Sequence, residues 1–144
     1  DRSIASSPAL PDVDVAITGA GELAMLRSVL TGWSGDRAFD AAATGDVLVA
    51  VTEIATNGLV HGRPPVRIRG WQRAGTLVVQ VDDAGGRTLP PTAGYRLPVS
   101  GPAAGGRGLW LARQLADTVT THSTGATTSV RLHFPYAVTH LPGR

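Results

Sequence analysis

The sequence has 144 residues, the length of a single domain, and 42% of them are hydrophobic, enough to build one core. It contains no cysteine, which excludes disulfides, thiolate metal ligands and a cysteine nucleophile. All 13 basic residues are arginine, and the lack of lysine excludes a P-loop and a Schiff-base enzyme.

The formal net charge is only +2, and the arginines are scattered along the chain. The densest group is Arg63, Arg67, Arg69 and Arg73, whose alternation favours a solvated strand face over a nucleic-acid surface. We therefore expect no direct contact with nucleic acid. No apolar stretch approaches the ~18 residues of a membrane span, and no secretory signal is visible. We expect a cytoplasmic protein without membrane contact. Because the sequence does not begin with Met, we expect that it was processed, trimmed or cut from a longer protein.

Periodicity predicts one domain over residues 14–134, flanked by a tail or linker over 1–13 and a C-terminal tail over 135–144. The predicted strands, in chain order, cover residues 14–18, 66–73, 76–82, 118–122 and 127–134. The predicted helices cover residues 21–33, 46 to about 61, and 108–117, and Thr44 is the predicted N-cap of the second.

The second and third strands are predicted to form a hairpin across Ala74 and Gly75. The long segment from Asp83 to Gly105 is rich in glycine and proline, which is typical of a functional loop or of disorder. The predicted order is two helices, a hairpin, a loop with a helix, and a second hairpin. This order lacks the strand–helix–strand alternation of a doubly wound fold. We expect an α/β two-layer sandwich, with a mixed, mostly antiparallel sheet and helices on one face.

Glu53, Asn57 and His61 share one flank of the second predicted helix, at i, i+4 and i+8. A carboxylate can accept a proton or orient a nucleophile, and an amide oxygen suits Mg²⁺, which prefers oxygen ligands. A solvated helix face is the alternative. Asn57 and Gly58 favour a function, because both are poor helix formers inside a strong helical pattern and Asn57 is the only asparagine of the chain.

Asp83 ends an apolar strand and is followed by Ala84, Gly85 and Gly86. Strand alternation predicts that Asp83 points inward and Asp82 outward. The glycines allow a sharp turn and a close approach of the backbone to a ligand. A carboxylate at this position can accept a hydrogen bond from an amino group such as that of adenine, and an ordinary Asp-Gly turn is the alternative.

Gly105, Gly106, Arg107 and Gly108 lead directly into the third predicted helix. Glycines at a helix N-terminus expose backbone N–H groups, and the helix dipole favours an anion there. Arg107 would add a guanidinium to such a phosphate site. The alternative is a flexible linker that caps the helix.

The remaining sequence offers little other chemistry. His122, His133 and His140 lack the spacing of a metal site, and we expect structural or surface roles for them and for the three tryptophans. The H-E-x-x-H and G-x-S-x-G motifs do not occur.

Taken in order, these motifs resemble the Bergerat-fold ATP-binding domain of the GHKL superfamily, which gyrase, histidine kinases and MutL share. Within it they resemble most the anti-sigma-factor serine/threonine kinases of the RsbW and SpoIIAB type. Residues 51–62 resemble the N box, 81–86 the first glycine box, 105–117 the second glycine box, and 127–132 the terminal strand with its threonine. The resemblance covers roughly residues 15–134.

The resemblance implies ATP and Mg²⁺ as cofactors. It implies that Asn57 ligates a Mg²⁺ ion bridging the phosphates and that Glu53 is the general base or polarising carboxylate. The other implied nucleotide-binding residues lie in the remaining motifs: Asp83 for the adenine amino group, Gly85, Gly86, Gly106, Arg107, Gly108, Leu109, and Thr128. Residues 87–105 would form the ATP lid. Arg87 and Thr127 depart from the family pattern, which often has glycine at both positions.

Two functions follow from the resemblance. The first is a serine/threonine protein kinase that phosphorylates an anti-sigma-factor antagonist of the STAS type and sequesters a sigma factor, with homodimerisation typical of relatives. The alternative is a non-catalytic ATP-sensing partner-switch module of a larger signalling protein.

Overall fold

The computed structural model describes residues 10–36, 40–85 and 105–135, with the backbone alone for 105–108. Within these ranges the strands are β1 (Val13–Ile17), β2 (Val66–Arg73), β3 (Thr76–Asp83), β4 (Thr118–Ser123) and β5 (Thr128–Pro135). The helices are α1 (Leu23–Gly35), which follows a 3-10 turn (Ala20–Glu22), α2 (Ala41–Val60) and α3 (Gly105–Leu115). All the predicted strands and helices are confirmed, with shifts of a few residues at their ends.

The largest shift is at the start of α2. The N-cap is Asp40, whose side chain accepts a hydrogen bond from the backbone N–H of Ala43 at 2.8 Å. The expectation that Thr44 caps this helix is wrong, since Thr44 lies inside the helix and is buried. Aspartate is a strong N-cap, and alanines 41–43 are the best helix formers, so the helix begins a turn earlier than its apolar stripe.

The β2–β3 hairpin forms as predicted, because Ala74 and Gly75 both adopt positive φ, at 40° and 80°. Positive φ at both central residues is the backbone of a tight turn whose twist matches the flanking strands. Arg73 therefore pairs with Thr76, and the register runs from there to the pairing of Val66 with Asp83.

The five described strands form one sheet in the order β1-β2-β3-β5-β4, and each neighbouring pair is antiparallel. The helices pack on one face: α1 against β1, α2 against β2 and β3, and α3 against α2 and β4. The expected two-layer α/β sandwich is confirmed. The proposed domain boundaries and tails stay predictions.

The core fills the space between the helices and this face of the sheet. Fully buried side chains come from both layers, among them Leu26, Leu30, Val51, Ile68 and Leu132. Each buried aliphatic side chain of this size stabilises the fold by about 1.5–3 kcal/mol relative to an exposed one. The core thereby fixes α2 over the C-terminal half of β3, where the candidate site residues lie.

The opposite face of the sheet, here called the open face, carries no described helix. The expectation of a solvated arginine face holds for Arg67, which is exposed and pairs with Asp14, but is wrong for Arg69. Arg69 is half-buried, bonds Asp82 at 2.7 Å, and lies 5.4 Å from the ring centre of Trp71, which is 3% exposed. Two neighbouring strands, β2 and β3, therefore share a charged and aromatic network on this face.

Among the described residues, no helix has both the length and the apolar character needed to cross a membrane.

Candidate functional site

Asp83, Gly85 and Thr128 form one hydrogen-bonded unit at the end of the central strand. Asp83 is only 4% exposed, and its Oδ1 accepts from the backbone N–H of Gly85 at 2.9 Å. The carbonyl oxygen of Gly85 accepts from Oγ1 of Thr128 at 2.7 Å. Thr128 is 1% exposed and stands opposite Asp83 in the β3–β5 register. The strand pairing thus fixes the carboxylate, the turn and the threonine relative to one another.

The direction of Asp83 follows from strand alternation, as predicted. Asp83 faces the helix layer, whereas Asp82 lies on the open face. A buried carboxylate is costly unless hydrogen-bond donors compensate for the lost water. The Gly85 amide is one such donor, and a ligand amino group is a donor of the same kind. The unit is therefore chemically suited to hold a base that carries an exocyclic amino group.

Gly58 brings α2 against this unit. A Cβ atom at Gly58 would lie 3.0 Å from Cγ2 of Val66, 3.2 Å from Cβ of Asp83 and 3.4 Å from its Oδ2. A side chain at this position would push α2 or its neighbours apart by a few tenths of an ångström, so glycine favours the close approach of the helix to the carboxylate. The sequence analysis noted Gly58 as a poor helix former next to Asn57, and this was the available signal for its packing role.

The segment after α2 is also joined to the site. A Cβ atom at Gly85 would lie 3.1 Å from the backbone of both Gly62 and Arg63, and the N–H of Ala84 donates to the carbonyl oxygen of Arg63 at 2.8 Å. Sequence reasoning treated Gly62 only as the end of the helix. Its close contact with Gly85 pairs two distant segments and has no local signal.

Asn57 and Glu53 share one flank of α2, four residues apart. Both side chains are partly buried. Asn57 directly precedes Gly58, so its helical turn is the one that packs on Asp83. Glu53 lies one turn earlier, about 6 Å along the helix axis, and lines a groove of about 340 Å³ that Arg27, Leu48 and Val49 also line.

His61, the third residue predicted on this flank, is exposed and forms the C-cap of α2. The carbonyl oxygen of Asn57 accepts from its backbone N–H at 2.8 Å. His61 is therefore a helix-ending residue in this structure, and the contacts described here do not join it to Asp83.

The predicted phosphate segment lies at the start of α3. Gly106, Arg107 and Gly108 are in the first helical turn, where backbone N–H groups have no acceptor within the helix. Leu109 is 4% exposed and packs in the core, so a phosphate contact at this residue would come from its backbone. Gly86 and most of the predicted lid, residues 87–104, lie outside the described residues.

Metal binding by protein side chains alone has no support in the described ranges. In residues 10–36, 40–85 and 105–135, no group of three or more His, Cys, Asp or Glu side chains could hold a metal ion. Mg²⁺ commonly takes one or two protein ligands and completes its shell with phosphates and water. The amide of Asn57, on the helical turn that packs against Asp83, fits that second kind of site.

Comparisons with known structures place the fold. The RsbU and RsbW domains of Rv1364c from Mycobacterium tuberculosis superpose with a TM-score of 0.63 at 18% identity; the match covers 88% of this chain and 33% of that one. The SiaB–SiaC complex of Pseudomonas aeruginosa matches with a TM-score of 0.62 at 12% identity, over 86% and 91% of the two chains. The blue-light-activated histidine kinase of Erythrobacter litoralis EL346 gives 0.54 at 22% identity, over 85% and 42%.

This chain thus spans a third of the Mycobacterium tuberculosis chain that it matches. No curated protein matches the sequence significantly. The family model for the histidine kinase-like ATPase domain matches residues 19–134, which include all four motifs singled out above. The chain belongs to the histidine kinase-like ATPase domain family, as the resemblance to GHKL proteins predicted.

Proposed function

We propose that this domain binds Mg-ATP and transfers the γ-phosphoryl group to a serine or threonine of an antagonist protein of the STAS type. The observation that carries the proposal is the buried Asp83–Gly85–Thr128 unit, held against the helix that bears Asn57 and Glu53. The arrangement places a hydrogen-bond acceptor for a nucleotide base, Asp83, next to a helix that carries a carboxylate, Glu53, and an amide, Asn57.

Each end of the nucleotide has a counterpart in the chain. Asp83 accepts a hydrogen bond from the adenine amino group, and Thr128 holds the Gly85 turn that shapes the adenine pocket. The first turn of α3 receives the phosphates through its backbone N–H groups and its dipole. Arg107 adds positive charge there, which compensates for the absence of a P-loop lysine.

The transfer step assigns distinct roles to Glu53 and Asn57. The substrate hydroxyl oxygen forms a bond to the γ-phosphorus while the bond from that phosphorus to the β–γ bridging oxygen breaks, and ADP leaves. Glu53 orients the hydroxyl and accepts its proton. Asn57 holds Mg²⁺, which neutralises charge on the phosphates. Phosphoryl transfer depends mainly on positioning and charge stabilisation, so few side chains suffice.

The proposed partners follow from the branch that the motifs resemble. The structural likeness to a chain with an RsbW domain supports a partner switch in which a sigma factor and a phosphorylatable antagonist compete for this domain. We place this switch in the cytoplasm, where sigma factors act, and expect a homodimer.

The test is phosphoryl transfer from γ-labelled ATP to a candidate STAS-type antagonist encoded in the same genome. We expect acid-stable label on a serine or threonine, and a loss of at least about 100-fold in rate for Glu53→Gln, within the range for a general base. Glu22→Gln is the matched control, because Glu22 is the only other glutamate of the sequence. Its carboxylate accepts hydrogen bonds from the neighbouring backbone N–H groups of Thr18 and Gly19, far along the chain from Glu53. Acid-labile label, no transfer, or equal rates for both variants would contradict the kinase assignment.

The same experiment separates the alternative function. ATP binding without transfer to any candidate antagonist would favour a non-catalytic ATP-sensing module, in which nucleotide occupancy alone controls partner exchange.

A further inference from the structure

The open face of the sheet contains a cavity that the proposed ATP reaction does not use. Its volume is about 460 Å³, within the size range of small-ligand pockets. It lies where the β2–β3 hairpin meets β4 and β5. Arg73, Arg131, His133, Thr118 and Thr120 line its walls, and Val78 and Ala74 supply apolar surface.

The cavity concentrates positive charge. Arg73 and Arg131 line it, and Arg69 lies beside Arg131 over the same tryptophan ring. Burial lowers the pKa of Arg131, and repulsion from Arg73 and Arg69 lowers it further, with only Asp82 acting in the opposite direction. Asp82 already accepts hydrogen bonds from Arg69, Gln80 and Ser129. An added anion would therefore relieve repulsion that the protein's own carboxylate leaves in place.

The guanidinium of Arg131 is held in position by its neighbours. Its Nε and Nη2 both donate to Oε1 of Gln80, at 3.0 and 2.6 Å. Its Cζ lies 5.6 Å from the ring centre of Trp71. Gln80 and Trp71 are each 3% exposed. A planar guanidinium fixed in this way meets a carboxylate or phosphate with little further loss of entropy.

One lining residue, His133, also carries a polar atom without a partner behind the wall of the cavity. Nδ1 of His133 is buried and has no hydrogen-bond partner among the described residues. Buried polar atoms are usually paired, and an exception calls for an explanation. The hydroxyls of Thr118 and Thr120, which also line the cavity, are further donors.

We propose that this cavity binds a small organic dianion, with two negative charges on a short carbon skeleton, as in a dicarboxylate or a phosphate ester. The charges meet Arg73 and Arg131, the threonine hydroxyls donate hydrogen bonds, and the carbon skeleton lies on Val78. The size of the cavity and its apolar floor favour this class over an extended polymer.

This ligand would bind away from the nucleotide. The cavity lies at the Thr76 end of β3 and on the open face, whereas Asp83 ends the same strand on the helix face. Thr76 and Asp83 are seven residue steps apart along the strand, about 23 Å. The proposed ligand site is thus independent of the proposed kinase function, and each can be tested without the other.

The experiment is an amide NMR titration of the whole chain with succinate, as the dicarboxylate, and with glycerol phosphate, as the phosphate ester. We expect at least one of these anions to cause saturable shifts of the amide resonances of Thr118, Thr120, Arg131 and His133, with a Kd below about 1 mM. The arm that binds more tightly identifies the kind of anion. Arg73→Gln, at an exposed position beside the hairpin turn, should weaken this binding at least tenfold.

Arg67→Gln is the matched control, because it removes the same charge from the same face but lies outside the cavity and pairs with Asp14. Its Kd should stay within twofold of the wild-type value. Three results would overturn the proposal: no saturable shift with either anion, equal losses in the two variants, or binding of a DNA duplex without binding of either small anion.

Discussion

Asp82 and Asp83 are adjacent carboxylates that the sheet directs to opposite faces. Asp83 is 4% exposed and bonds the backbone of the next turn, beside the glycine of α2. Asp82 lies among polar side chains from three strands and accepts from Arg69, Gln80 and Ser129. One residue type thus belongs to a buried hydrogen-bonded turn, the proposed nucleotide site, on one face and to a charge network on the other.

The difference between the faces lies in what compensates each charge. On the open face, an arginine and two neutral donors surround Asp82, so its charge is balanced within the protein. On the helix face, Asp83 is buried and accepts a hydrogen bond from the backbone N–H of Gly85, and in the proposed function the ligand's amino group is a further donor. The comparison predicts separable effects on stability and on nucleotide affinity.

The largest effect should come from breaking the close packing on the helix face. Gly58→Val would drive Cβ and its methyl groups into Val66 and Asp83, so we expect the free energy of unfolding to fall by about 3 kcal/mol. Urea denaturation measures it. Gly45→Ala, in the same helix with nothing within 4 Å of the new Cβ, should instead stabilise by about 0.5–1 kcal/mol. Equal behaviour of the two variants would contradict the packing argument.

On the open face, loss of Asp82 should cost stability. Asp82→Ala leaves the half-buried guanidinium of Arg69 without its carboxylate; the two side chains are 17% and 24% exposed, and we expect a loss of about 2 kcal/mol. Asp14→Ala removes a pair whose side chains are 42% and 51% exposed, and should cost less than about 1 kcal/mol. Denaturant titrations that gave the reverse order would show that the network is not structural.

Thr128→Val tests the connection within the candidate site. The substitution keeps the shape of the side chain and removes the hydroxyl that donates to the Gly85 carbonyl at 2.7 Å. We expect a loss of about 1 kcal/mol in the free energy of unfolding and weaker ATP binding, because the turn beside Asp83 loosens. Calorimetric titration with ATP and thermal melts of the same sample check both. Unchanged ATP affinity would separate Thr128 from the ligand site.

The smallest effect should be a pH dependence from the open face. Burial, followed by repulsion from Arg131, lowers the pKa of His133 below its usual 6.5. The folded state therefore favours the neutral imidazole, and the unfolded chain takes up the proton first as pH falls. His133 contributes full stability above about pH 6.5 and loses it as the pH falls below that value. The free energy of unfolding, measured from pH 7.5 to 5, should fall less steeply in His133→Gln than in the wild type. Parallel curves for the two proteins would refute this prediction.

The sequence predicted the features that local geometry controls. Period-two alternation along β3 separated Asp83 from Asp82, and the Ala74–Gly75 turn marked the hairpin. The motifs also identified the family. By contrast, the cap at Asp40 was missed because the apolar stripe, which began later, was taken as the start of the helix.

Features that join distant segments had no readable signal in the sequence. The Trp71 network depends on Arg69, Gln80 and Arg131, which come from three strands, and becomes visible only once the strand order is known. The same holds for the contact of Gly62 with Gly85. The roles of Asn57, Glu53 and the α3 segment in binding nucleotide stay predictions, because they need the ligand itself.

The most direct test of the central claim is calorimetric titration of Mg-ATP into the wild type, Asp83→Asn and Asp82→Asn. We expect Asp83→Asn to weaken binding by about 2–3 kcal/mol, roughly 30- to 150-fold, because the acceptor for the adenine amino group becomes neutral and partly a donor. Asp82→Asn should bind ATP within about threefold of the wild type while losing stability. Equal affinities of Asp83→Asn and the wild type would contradict the account.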